Sequence, residues 1–171
     1  MALTGLIAFY MVFGKEFLLL FTKPIKPLRY FILYFLLIVL VTFGTSYLLQ
    51  YILNFGLASN PIGGHVPWVK LPFMLFGEEL ISFYTFILTA NLLKKNNHNL
   101  LIGNLVSAAL FAILHITTYW NGNFFLTLFH VLALQGIARI IFNTSGIKSN
   151  TILVPFMIHF IFDIVTLLAA S

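Results

Sequence analysis

Apolar runs separated by short polar turns set the pattern of this chain, and no strand-length alternation of apolar and polar residues interrupts them. A helix crossing a bilayer needs about 20 predominantly apolar residues. Six segments are predicted on that basis: 1–22, 29–56, 68–93, 99–118, 124–142 and 151–170. The fold class is therefore all-α, a polytopic transmembrane helix bundle of about six helices. A membrane barrel would show dyad alternation, which is absent. Lys15 and Glu16 interrupt the first segment. Either they pair, or that segment lies along the interface.

The connectors carry recognisable turn chemistry. "TKPIKPLR" places two prolines between segments, which ends one helix and starts the next. "LASNPIGGHVPWVK" is a Pro- and Gly-rich loop ending near Trp68, an expected interface anchor. "KKNNHN" reads as a polar turn and "TTYWNGN" as a turn with a second interfacial aromatic, Trp120. "NTSGIKSN" is expected to be the last connector. Neither an internal repeat nor a separate soluble region is visible, so residues 1–171 read as a single membrane domain.

Charge then orients the bundle. Lys23, Lys26 and Arg29 mark the first connector, Lys94 and Lys95 the third, and Arg139 and Lys148 the fifth; the second holds Lys70 and the fourth none. Short loops rich in Lys and Arg stay cytoplasmic. The odd connectors are thus expected inside and both termini outside, in a multi-pass protein of the cell membrane surrounded by lipid. The net charge of +5 is accounted for by these loops, so no nucleic-acid partner is expected.

Composition agrees. Of the 171 residues, 61% are hydrophobic and 8% charged, against about 25% charged in soluble domains; mean hydropathy is +1.04. The opening "MALTGLIAFYMVF" has no basic stretch ahead of its apolar run and is not expected to be a cleaved leader. The chain has no cysteine, so thiolate nucleophiles and Cys-based metal sites are excluded.

Against this background the ionisable residues inside spans stand out. A central Asp costs roughly 2.5–3.5 kcal/mol on insertion scales, and such groups usually face the bundle interior. Glu78 and Glu79 fall in the third segment, His115 in the fourth, His130 in the fifth, and His159 with Asp163 in the sixth. Helices do not readily each bury a charge unless the charges meet, so one polar intramembrane site is expected. His159 and Asp163 are four apart and share a helix face, so Asp163 is expected to orient the imidazole. Phe111 stands four before His115 and is expected to wall the pocket beside it. Glu78 and Glu79 point about 100° apart, so one is expected to act and the other to support it. His130 stands alone and reads as a helix–helix hydrogen-bond partner.

A carboxylate beside an imidazole can deprotonate water and return the proton. The same groups, Glu78, His115 and His159, are alternatively candidate ligands for a divalent metal such as zinc, which would acidify that water. Both routes lead to hydrolysis. HExxH and Gly-x-Ser-x-Gly are absent, and one Asp cannot form an aspartyl dyad.

The ordered set "EELISF" at 78–83, "FAILH" at 111–115 and "HFIFD" at 159–163 resembles the CPBP family of CAAX proteases and bacteriocin-processing enzymes, also called Abi proteins. The resemblance covers about residues 70–165 and lies with the branch that contains the type 2 CAAX prenyl protease. It implies a glutamate-dependent intramembrane endopeptidase, of a family commonly labelled metalloproteases. Glu78 and His115 would activate water, His159 and Asp163 would complete the site, and Glu79 would support it. The implied substrate is a peptide or membrane protein, prenylated or of bacteriocin type. The sequence departs from the family at Phe83, where the motif has arginine. Arg139 either supplies that guanidinium from the fifth segment or snorkels to the cytoplasmic interface, the behaviour expected of a residue near a span end. Two other functions fit the same residues: a non-catalytic membrane immunity or binding protein, favoured by Phe83, and an ion-coupled carrier, which lacks the repeated halves of such proteins.

Overall fold

The computed structural model describes residues 2–58 and 68–170, and every regular element among them is helical. In chain order they are α1 (Ala2–Phe13), α2 (Pro27–Tyr47), α3 (Leu71–Leu92), α4 (Asn99–Leu114), α5 (Phe124–Val131), α6 (Ile137–Ser149) and α7 (Leu153–Ala170). A π-turn, Leu132–Gly136, joins α5 to α6, so the two form one rod of 26 residues, Phe124–Ser149. A second π-turn, Leu48–Ile52, extends α2.

Among the described residues, three helices are long and apolar enough to cross a membrane: Pro27–Ile52, Leu71–Leu92 and Phe124–Ser149. Two shorter apolar helices, Asn99–Leu114 and Leu153–Leu168, complete the bundle. Exposed Leu33, Leu36 and Leu40 run along the outside of α2, as a surface solvated by acyl chains requires. The core is built where helices meet. Ile38 of α2 packs with Ala138, Ile141 and Phe142 of α6 and with Ile158 and Phe162 of α7. Phe9 of α1 joins Leu80, Phe83 and Phe86 of α3.

Two sequence-based expectations change here. The first segment is not one span. Gly14 takes a left-handed φ of +56, which breaks the helix, and residues Gly14–Phe21 continue as a 3-10 helix. No ion pair joins Lys15 to Glu16; α1 instead packs on α3, with Gly5 against Leu80. The stretch "NTSGIKSN" is not a connector either. α6 runs through Ser149 and stops at Asn150, which caps it with a left-handed φ of 57. Asn143, Ser145, Gly146 and Ser149 are buried there. Small and hydroxyl residues let membrane helices approach closely and bond across the interface, so polar character marks packing here and not a loop.

The 3-10 segment is stitched to the α6–α7 connector. Leu20 O accepts from Ile152 N and Thr151 Oγ1, and Ile25 N donates to Ser149 O. The proposed loop around His65 falls mostly on residues 59–67, outside the described residues; Trp68 beyond it is exposed, as is Trp120.

Candidate active site

α3 carries Glu78 and Glu79 about 12 Å from its N-terminus, at the 1.5 Å rise of a helix. Their side chains diverge accordingly. Glu79 turns inward and is fully buried; Glu78 keeps its side chain 22% exposed. Glu79 Oε1 accepts two hydrogen bonds, from Arg139 Nη1 at 2.8 Å and from His159 Nδ1 at 2.8 Å. The Arg139 guanidinium carbon lies 4.1 Å from the Phe111 ring centroid and 5.1 Å from that of Phe142. Aromatic faces attract a desolvated cation, so the guanidinium is held by one carboxylate and two rings. Phe142 also stacks on His159, centroids 4.7 Å apart. Arg139 therefore does not snorkel; it is 0% exposed. An unpaired carboxylate at Glu79 would be costly in this interior, which draws the guanidinium inward.

With Nδ1–H committed to Glu79, the Nε2 of His159 is left as an acceptor. It faces Glu78 Oε2 at 3.9 Å and Asp163 Oδ1 at 3.8 Å. These separations are too long for direct hydrogen bonds and suit groups that share a water. The orienting partner of His159 is thus Glu79, not Asp163 four residues along its own helix. A bond at 2.8 Å on the buried side outcompetes a contact at 3.8 Å on the open side, where the Asp163 side chain is 27% exposed.

His115 is not within the helix but follows the last residue of α4 as its cap. Its Nδ1 donates to the Phe111 carbonyl at 2.8 Å, and its ring lies 4.4 Å from that of Phe111. Nε2 is free to act. The structure does not bring His115 into hydrogen-bond contact with Glu78, but it lies within electrostatic range of Asp163. His130 is buried, with Nδ1 lacking a partner among the described residues, and joins no carboxylate.

Three further residues belong to this region. Phe142 is one. Tyr119, in the connector beyond the end of α4, is another: it stacks near His115 (6.3 Å) and His130 (5.0 Å). Its hydroxyl accepts from Nε2 of Gln135, the third, at 3.1 Å. Burial first, then the charges of Asp163 and Glu78, push the Tyr119 hydroxyl up to about 12, so it stays protonated at neutral pH. A signal for Tyr119 exists in the sequence, since Phe111, His115 and Tyr119 recur every four residues.

Residues 64–165, which contain all three motifs, match the Rce1-like family of type II CAAX prenyl endopeptidases. The chain belongs to that family. No curated protein and no solved structure matches it. Measured against the CAAX-protease motif, Phe83 occupies the arginine position and is buried in the apolar cluster with Phe9 and Phe86. The guanidinium on Glu79 comes instead from Arg139, 60 residues along the chain.

Among the described residues, no group of three His, Asp or Glu side chains converges closely enough to hold a metal ion. Glu79, the deepest carboxylate, is occupied by Arg139 and His159.

One turn beyond Arg139, α6 is laced to α3 and α4. Asn143 Nδ2 donates to Asn104 Oδ1 at 2.9 Å and to Ser107 Oγ at 3.1 Å, and Ser107 donates to the Ser82 carbonyl at 2.8 Å. This ladder fixes the α6 face that presents Arg139 to Glu79.

Proposed function

We propose that this CAAX-family member is an active intramembrane endopeptidase, multi-pass in the cell membrane, that cleaves a peptide bond near a prenylated C-terminus. The observation that carries the reading is the division of labour between the two glutamates. Glu79 is spent on holding His159 and Arg139, whereas Glu78, adjacent in sequence, faces the free Nε2 of His159 from the open side.

Glu78 takes a proton from a water lying between it, His159 and Asp163. The hydroxide oxygen attacks the scissile carbonyl carbon, and the carbonyl electron pair moves to its oxygen. When the C–N bond breaks, the Glu78 carboxylic acid returns the proton to the leaving nitrogen, giving a carboxylic acid and an amine. The water's second hydrogen is accepted by an imidazole Nε2, that of His159 or His115, and this bond persists when that hydrogen belongs to the hydroxyl of the tetrahedral intermediate. Asp163 bears on the charge of His159. A fixed His159 means little reorganisation during the step, which is the source of electrostatic advantage in such sites.

Purified protein in liposomes is expected to hydrolyse an internally quenched peptide ending in a farnesylated C-a-a-X sequence. Glu78→Ala and His115→Ala should each abolish turnover while the protein remains folded. Full activity in both variants would overturn the mechanism. The non-catalytic immunity reading predicts a different result: protection of cells persisting in Glu78→Ala at normal expression.

A further inference from the structure

The Tyr119 hydroxyl is a buried phenol oxygen tied to the helical rod that carries Arg139. A hydroxyl has one proton to donate and two acceptor positions. Gln135 Nε2 fills one acceptor position. No described group accepts the proton, although Tyr119 is 8% exposed, and buried phenols normally find an acceptor. Residues of the site lie around it: the His115 ring at 6.3 Å and the Glu78 and Asp163 carboxylates within electrostatic range, with the His130 ring packed at 5.0 Å.

The backbone is built to aim Gln135. It lies in the π-turn Leu132–Gly136. A π-turn inserts one residue into a helix and rotates the next helical segment by about 100° relative to an unbroken α-helix. That register lets α5–α6 present Gln135 to Tyr119 and, one turn later, Arg139 to Glu79. Gly136 closes the turn against Ala112 of α4, the helix that ends at His115. The bulge therefore locks the connector holding His115 and Tyr119 to the helix holding Arg139.

We propose that Tyr119 is a catalytic hydrogen-bond donor: its O–H, held by Gln135, binds the carbonyl oxygen of the scissile peptide as that oxygen gains negative charge. This rests on the peptidase reading above. The proton is shared with the oxyanion and not transferred; when the C–N bond breaks, the electron pair returns to re-form C=O and Tyr119 keeps its hydrogen. The donor is neutral, so the buried site gains no charge in the resting state. Gln135 is a positioning residue that fixes the phenol torsion.

The test uses the full chain in liposomes with the same quenched farnesylated peptide, and its C-terminal aldehyde, whose hydrate mimics the tetrahedral intermediate. Tyr119→Phe retains the ring and removes only the donor. It is expected to lower kcat by about 10²–10³-fold, as for loss of an oxyanion donor, with KM little changed. It should weaken binding of the aldehyde while leaving the uncleaved parent peptide unaffected. Gln135→Met, which keeps the size and loses the donor, should give a smaller fall in kcat in the same direction, and it tests the arrangement if Tyr119→Phe fails to fold. If Tyr119→Phe retains wild-type kcat while Glu78→Ala is dead, the role of Tyr119 is overturned and the peptidase reading stands. A rise in KM alone would make Tyr119 a ground-state contact and also overturn the proposal. If wild type leaves the peptide intact, or if Glu78→Ala is as active as wild type, the reading and the inference fall together.

Discussion

Arg139 shows how a single residue settles the electrostatics of a buried site. Its guanidinium has one carboxylate oxygen at 2.8 Å and two aromatic faces, and the residue is wholly shielded. Removing one partner of such a pair leaves the other charge uncompensated, at a cost of about 3–5 kcal/mol. Arg139→Leu is therefore expected to lower stability by that order and to abolish activity, because Glu79 then no longer fixes His159. Glu79→Leu combined with Arg139→Leu should recover most of the stability and none of the activity, read by thermal denaturation in detergent beside a cleavage assay. A loss in the double variant equal to the sum of the two single losses would show that the pair is not coupled. Arg139→Lys should behave nearly as badly as Leu, since an ammonium cannot lie flat between Phe111 and Phe142. The meeting of Glu78, Glu79 and Asp163 around His159 was legible because ionisable groups inside apolar runs are costly and converge. The position of Arg139 was not, because a residue near a presumed span end has two outcomes that hydropathy does not separate. The deciding clue was its continuation, Arg139, Asn143 and Gly146, spaced four and three apart on one face of α6. That stripe only makes sense turned inward.

At the scale of elements, the close approach of α3 and α6 depends on what the helices omit. A Cβ on Gly146 would overlap the Phe83 ring. Phe83 fills the space beside α6, and Gly146 makes room for it. Gly146→Ala is expected to destabilise by about 1–3 kcal/mol, the range for overpacking, and to reduce activity by displacing Arg139 two turns away. Phe83→Leu in the same chain should relieve the overlap and restore both, giving a coupling energy in a double-mutant cycle. Additive losses would mean that the two residues do not share this contact. The same packing explains why "NTSGIKSN" read as a loop. Asn, Ser and Gly are turn formers in water, but between membrane helices they are close-packing and cross-linking residues. The break at Gly14 was equally hidden, since glycine within an apolar run is compatible with either outcome. By contrast α2, α3 and α7 were legible in outline, because their apolar length alone dictates a helix in lipid.

The whole molecule places its charge and its chemistry toward opposite ends. The first connector meets the end of α6 where Ile25 bonds Ser149 and Thr22 bonds Asn150. The end of α3 and the start of α4 border the same cavity as this junction, through Asn91, Leu100 and Asn150. Lys23, Lys26, Lys94 and Lys95, with Lys148 in the last turn of α6, are therefore gathered at one end, the arrangement that the positive-inside rule assigns to the cytoplasm. His115 and Tyr119 lie beyond the far end of α4, in the connector without Lys or Arg. The absence of native cysteine makes this testable without a background to remove. In right-side-out vesicles, cysteines at Lys95 and Lys148 are expected to resist a membrane-impermeant maleimide until the membrane is permeabilised, whereas one at Asn121 should react at once. Cysteines at Lys95 and Asn121 labelling from the same side would contradict the packing itself, since α4 joins their connectors. A uniform reversal would preserve the fold and overturn only the orientation, moving the mouth beside His115 to the cytoplasmic face. The two results separate what the helices impose from what the loop charges impose.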